Sequence, residues 1–148
     1  MLSVFVKLGK NIASINKGQM MEEIFSTRSL QSQIIDFNQA QMYDKGVDSD
    51  GRSLGEYSLA TIYGTTKFEG KIAKGQRYDH ITLKDSGGSY DSMKVETDNS
   101  GLAIKGDFPD SIKQRFPDAL GLTQDSKTEL LPEVNENLIE KILKKARK

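Results

Sequence analysis

DHITLKDSGGSYDSMKVETDNSGLAIKGD, residues 79–107, is the stretch that decides the fold. His80, Thr82 and Lys84 alternate with Ile81, Leu83 and Asp85, the period-2 pattern of a half-buried strand. The pattern stops at Asp85-Ser86-Gly87-Gly88-Ser89, where two adjacent glycines permit positive φ and read as a strand-to-strand turn. Tyr90, Met93 and Val95 then lead into a second strand near 92–97. Asp98-Asn99-Ser100-Gly101 is a turn signal, and Leu102 and Ile104 place a third strand after it. The expectation is an α+β fold, a three-stranded antiparallel meander covered by a long N-terminal helix and a C-terminal helix.

Before this stretch the period changes twice. Leu2, Val4, Val6 and Leu8 alternate, so 2–8 reads as a short strand rather than a leader, because Lys7 interrupts the apolar block. From about Gln19, Met20, Met21, Ile24, Phe25, Leu30, Ile34, Ile35 and Met42 recur at helical spacing, with Gln and Ser on the opposite side. This predicts a long N-terminal helix over the sheet, stopped at Gly46. Its methionines could form an adaptable surface, but core filling is the commoner use. The segment 47–78 has no sustained period and reads as a long irregular loop within a single 1–148 domain. Loops this long usually serve a function or need a partner. Tyr57, Tyr63, Phe68 and Tyr78 argue against simple disorder, as anchors that pack on a partner subunit or on the protein's own helix.

Beyond the meander, Pro109 opens a short helical turn at 111–116. Thr123 caps a short helix at 124–131, and Pro132 separates it from a C-terminal helix at 133–147. Glu133 and Glu136 near the start of that helix, and Lys144, Lys145, Arg147 and Lys148 near its end, complement its dipole.

Composition narrows the function classes. Among 148 residues, Lys+Arg and Asp+Glu are both 21, which argues against a nucleic-acid binder relying on a strong basic field. With no cysteine, disulfides and thiolate chemistry are excluded. No apolar run approaches the ~20 residues of a spanning helix, so no membrane role is expected. The mean hydropathy of −0.54 suits exposed loops or surfaces that a partner orders.

Each candidate for chemistry meets a plainer alternative. Asp48-Ser49-Asp50-Gly51 resembles part of a calcium loop, but the first and twelfth ligand positions would fall on Gly46 and Tyr57, so it reads as a turn. His80 with Asp79 and Asp85 lacks the further ligands of a zinc site. Ser86-Gly87-Gly88-Ser89 lacks the lysine or the glycine spacing of phosphate loops. No nucleophile-elbow sequence surrounds a serine. Lys141, Lys144, Lys145, Arg147 and Lys148 could touch nucleic acid without specificity, but a solvated helix end explains them as well. No cofactor is expected.

Three segments, in order, carry a resemblance: Met42-Tyr43-Asp44-Lys45-Gly46-Val47-Asp48-Ser49-Asp50-Gly51 with Tyr57-Ser58; Ile81-Thr82-Leu83-Lys84-Asp85-Ser86-Gly87 with Tyr90 and Ser92; and Leu120-Gly121-Leu122-Thr123. They are similar to segments of phage virion-morphogenesis or tail-completion proteins, from phages infecting Bacteroides-type bacteria. The resemblance implies a structural virion protein rather than an enzyme, part of a head–tail connector, neck or tail-completion ring. The implied partners are further copies of the chain and portal, adaptor or tail-tube proteins. A ring contact between identical subunits needs two different surfaces. The loop 47–78 and the edge of the meander are the candidates, with Tyr57, Tyr63, Phe68, Tyr78 and Tyr90 as the candidate subunit interface. Two other readings stay open. One is a small phage hydrolase or lysis accessory using Asp79 and Asp85, which alternation places on the buried Ile81/Leu83 face. The other is a DNA-binding accessory using the basic C-terminal helix.

Overall fold

The computed structural model describes residues 10–148 apart from 12, 99 and 100, so the strand expected at 2–8 lies outside the described residues. It is mixed helix and sheet, in keeping with α+β. Where one long helix was expected there are two, α1 (Lys17–Phe25) and α2 (Arg28–Ala40). The apolar spacing explains the break. Ile24 and Leu30 are six residues apart, so a continuous helix would turn them to different faces. The chain instead opens at Ser26 and Thr27, Thr27 takes an extended conformation, and Leu30 and Ile34 rejoin Met20 and Ile24 in the core. The side chain of Asn16 caps α1 by accepting the Gln19 amide at 3.1 Å.

A π-helical turn, Gln41–Lys45, extends α2 and ends at Gly46, the stop expected from the sequence. Glycine is required there on two counts. Its φ of 62° is left-handed, and an added Cβ would lie 2.4 Å from the His80 ring.

Among the described residues the sheet has two strands, β1 (Lys94–Asp98) and β2 (Gly101–Lys105), antiparallel with Val95 opposite Ile104 and Thr97 opposite Leu102. The strand expected at 80–85 is not formed. Leu83 sits at φ 55°, outside the extended region, and the Ile81 amide bonds to Gly55 O rather than to a ladder. The glycines at 87–88 therefore do not join two strands; they lead into a four-residue helix, Gly88–Asp91. Val95 and Ile104 are buried beneath the N-terminal helices, with α1 packing on both strands and α2 on β1.

Past the sheet, α5 (Asp110–Arg115) is the expected short turn, and α6 (Gln124–Ala146) is one continuous helix rather than two. Thr123 caps it as predicted, its Oγ1 accepting the Ser126 amide at 3.2 Å. Its main contacts are with α1 and α2, so those two helices form a middle layer between sheet and C-terminal helix. Glu23 on α1 pairs with Lys145 at 3.3 Å and Lys141 at 3.7 Å, tying these layers at one end.

Pro132 lies inside α6 on its exposed side. It cannot supply the amide that would bond to Thr128 O, and its ring crowds that carbonyl. Packing of Leu130 and Val134 on either side holds the helix together across it. Pro132→Ala is expected to stabilise the protein by about 1–2 kcal/mol, the interior-helix penalty less the unfolded-state advantage of proline. Thermal unfolding checks this; a lower midpoint would contradict it.

Candidate functional site

Between the middle layer and α5 the chain builds a lobe from residues 58–76. Ser58 starts the short helix α3 (Leu59–Tyr63) by accepting the Thr61 amide at 3.2 Å. Gly64 and Glu69 then form an isolated bridge that closes a turn. The returning chain crosses α3, its Lys71 and Ile72 amides bonding to Thr61 O and Ile62 O at 3.0 and 3.1 Å. The segment expected to be irregular is thus tied down by its own backbone.

A second set of bonds fastens the lobe to the body. Lys71 is buried, and its Nζ donates to Gln76 Oε1 at 3.0 Å and to Lys84 O at 3.1 Å while lying 4.6 Å from the centre of the Tyr57 ring. A cation over an aromatic face is a favourable pairing when water is displaced. Gln76 Nε2 donates onward to Asp85 O at 2.8 Å.

The floor beside the lobe is organised by Thr82, which alternation had placed on a polar face. It is 1% exposed. Its amide donates to the Tyr57 hydroxyl at 3.0 Å, its carbonyl accepts from the Tyr90 hydroxyl, and its Oγ1 lies 3.1 Å from the Tyr57 oxygen. Two tyrosine hydroxyls satisfy a polar residue that would otherwise be costly to bury. Burial also pushes the Tyr90 phenol above its usual range.

Of the five aromatic candidates, these two turn inward. Tyr90 lies on the four-residue helix α4 (Gly88–Asp91), rather than at a strand edge, and is buried; Tyr57 is half-buried. Tyr63, Phe68 and Tyr78 remain exposed, at 71%, 51% and 48%. Leu59 and Ile72, which no sequence pattern singled out, join them on the lobe at 73% and 44%. Leu59 and Tyr63 are four apart on α3 and so share a face. A groove of about 840 Å³ is lined by residues of the lobe, the 81–90 segment and α5, among them Phe68, Lys71, Ile81, Leu83, Ile112 and Phe116.

The polar candidates take structural places. Asp48 Oδ1 accepts the Asp50 and Arg52 amides, both at 2.9 Å, as a turn does. His80 Nε2 lies 2.8 Å from Tyr43 O and its Nδ1 3.4 Å from Asp79, beneath Gly46. Asp79 and Asp85 are not on a buried face; both are exposed. Arg77 grips Asp79 through Nε at 2.7 Å and Nη2 at 3.1 Å, holding its carboxyl at about 2 against the ordinary 3.8. Hydrogen bonds from Gln76 and Lys74 likewise lower Asp85. The raised values that burial would have given a general acid are replaced by lowered ones. A lowered carboxylate stabilises the fold above its unfolded value and loses that contribution as pH falls through the folded one. Asp79→Asn is therefore expected to flatten the dependence of melting temperature on pH between 3.8 and about 2. An unchanged acid limb would contradict the Arg77 pairing.

At the basic C-terminus, Lys141 and Lys145 are half-buried against Glu23, whereas Lys144, Arg147 and Lys148 are exposed. Among the described residues, no group of three or more His, Asp or Glu could hold a metal ion, and no helix is long and apolar enough to cross a membrane. Compared with protein-family models, with curated proteins and with solved structures, the chain finds no match in any of the three.

Proposed function

We propose that the protein is a structural subunit of a tailed-phage virion, part of the head–tail connector or neck ring or of the ring that completes the tail. It acts as a homo-oligomer against portal, adaptor or tail-tube neighbours, and is assembled in the host cytoplasm. The observation that carries this reading is the lobe. Leu59, Tyr63, Phe68 and Ile72 stand exposed within residues 59–72 on a turn that internal hydrogen bonds hold in place. A large apolar side chain gains roughly 1.5–3 kcal/mol when fully buried. Four of them held outward on an ordered scaffold mark a surface built to be covered by another protein.

The groove beside the lobe extends that surface with Phe116 and Ile112. Of the three segments on which the resemblance was drawn, 81–87 lines the groove, 120–123 leads into α6, and 42–51 follows α2 through the π-helical turn. Asp79 and Asp85, exposed and ion-paired, are not placed on a buried face where a general acid of the hydrolase alternative would have its pKa raised.

The test is the double variant Tyr63→Ser/Phe68→Ser. Its melting temperature is expected to stay close to that of the parent, because neither side chain is buried. Supplied in place of the parent protein during infection, it is expected to yield heads and tails that fail to join or to finish, seen by electron microscopy. Normal particle yield with this variant would sink the reading.

A further inference from the structure

We propose that neighbouring copies in the ring contact each other head to tail, the lobe of one copy seating on the outer face of α6 of the next. This rests on the ring reading above and names the contact that builds it. A contact repeated around a closed axis joins two different patches of the same chain, and the protein exposes a second apolar patch. On α6, Leu131, Ile139 and Leu143 are 49%, 58% and 48% exposed. They follow one another at spacings of eight and four, so they run along one side of the helix. The opposite side, with Leu130 and Val134, is already buried against α1 and α2.

Charge selects the pairing. On the outside of the lobe Lys67 and Lys74 stand exposed against Glu69 alone, Lys71 being turned inward to Gln76 and Lys84 O. Around Leu131 and Ile139, residues 125–140 of α6 carry Asp125, Glu129, Glu133, Glu136 and Glu140 against Lys127 alone, the basic residues Lys144 and Arg147 lying beyond, at the Leu143 end. A basic apolar lobe on an acidic apolar helix face brings unlike fields together, whereas lobe on lobe or helix on helix over the same segments sets like against like. One complementary pair, used once in each direction, lets every copy make two contacts.

Because the chain has no cysteine, introduced thiols report contacts without background. A Tyr63→Cys/Ile139→Cys variant treated with a short bismaleimide is expected to give a ladder of dimers, trimers and larger species on a denaturing gel. Each single-cysteine variant alone is expected to stay monomeric, and an equimolar mixture of the two to stop at dimers. Glu136→Lys/Glu140→Lys in the same background is expected to cut the ladder about tenfold or more, as like charges face each other, and adding Lys67→Glu/Lys74→Glu to restore it. Circular dichroism on these exposed-site variants confirms folding. Dimers from Ile139→Cys alone or from Tyr63→Cys alone would overturn the head-to-tail contact, as would an absence of cross-linked species from the folded double variant. If that happened while the chain was present in particles, the contact would fall and the virion role would stand.

Discussion

Gln41→Leu is expected to lower the unfolding free energy by about 2–4 kcal/mol, although it exchanges a polar side chain for an apolar one of similar size in the interior. Gln41 is 2% exposed and uses both ends of its amide. Nε2 donates to Gly121 O at 2.8 Å, and Oε1 accepts from the Thr123 amide at 2.8 Å and from Ser126 Oγ at 3.0 Å. Asn38, one turn earlier and fully buried, does the same for the preceding residues, donating to Ala119 O at 3.0 Å and accepting the Gly121 amide at 3.1 Å. Together the two amides hold residues 119–126, the irregular approach to α6, with bonds that no secondary structure supplies there. Leucine at 41 would strand Gly121 O and the Thr123 amide, each an orphan costing about 1–3 kcal/mol when no partner replaces it. For a chain of this length the midpoint should drop by roughly 5–15 °C. Urea unfolding with an unchanged slope checks it. A loss within about 0.5 kcal/mol, the range of an ordinary surface substitution, would mean that the amide network contributes nothing to stability.

Gly70→Ala should unmake the lobe while sparing the body. A Cβ at Gly70 would stand 2.3 Å from both Gly64 N and Tyr63 C, and 2.5 Å from Ile62 O. All three are backbone atoms of the crossing strand of chain, so no rotamer relieves the contact. The crossing must open, and with it the Lys71 and Ile72 amide bonds to Thr61 O and Ile62 O. Overpacking of this kind costs about 1–3 kcal/mol. Hydrogen exchange at the Lys71 and Ile72 amides should accelerate by roughly ten- to a hundredfold, at 1.4 kcal/mol per decade. Amides of α1 and α2 should keep their protection, since the opened bonds are local to the lobe. The variant should also fail in particle assembly as the Tyr63/Phe68 variant does. Gly88→Ala, where an added methyl would meet only Ser86 Oγ at 3.7 Å, serves as the comparison and should leave lobe exchange unchanged.

Which parts of this architecture the sequence disclosed follows from the range of the forces involved. The β1–β2 hairpin was legible because its cues are local: Val95 and Ile104 alternate inward, and Asp98 Oδ1 accepts the Gly101 amide at 3.1 Å across the turn. The Gly46 stop and the Thr123 cap were legible for the same reason. Thr82 was misplaced because its burial depends on Tyr57 and Tyr90, 25 and 8 residues away. Without those hydroxyls, the alternation at 80–85 is indistinguishable from that of a strand. Gln41 falls among the glutamines that the helical period sets opposite the apolar stripe, and Asn38 has no sequence signal of its own, since a buried amide differs from an exposed one only in its distant partners. The break between α1 and α2 was present in the six-residue gap from Ile24 to Leu30, but a helix period tolerant of one gap conceals it. Pro132 was taken as a boundary, and packing on both sides overrode it. The aromatics of 47–78 fall on a segment tied by its own backbone, Tyr57 half-buried and Tyr63, Phe68 and Tyr78 exposed. The inward turn of Tyr57 and Tyr90 goes with their bonds to Thr82, tertiary contacts with no sequence period.

The central claim is that this chain works by being built into a particle. Quantitative mass spectrometry of purified particles, with copies of this chain counted against the major capsid protein, tests it most directly. The account predicts a constant, ring-sized copy number that survives repeated gradient purification. Abundance in infected cells with none retained in finished particles would contradict it.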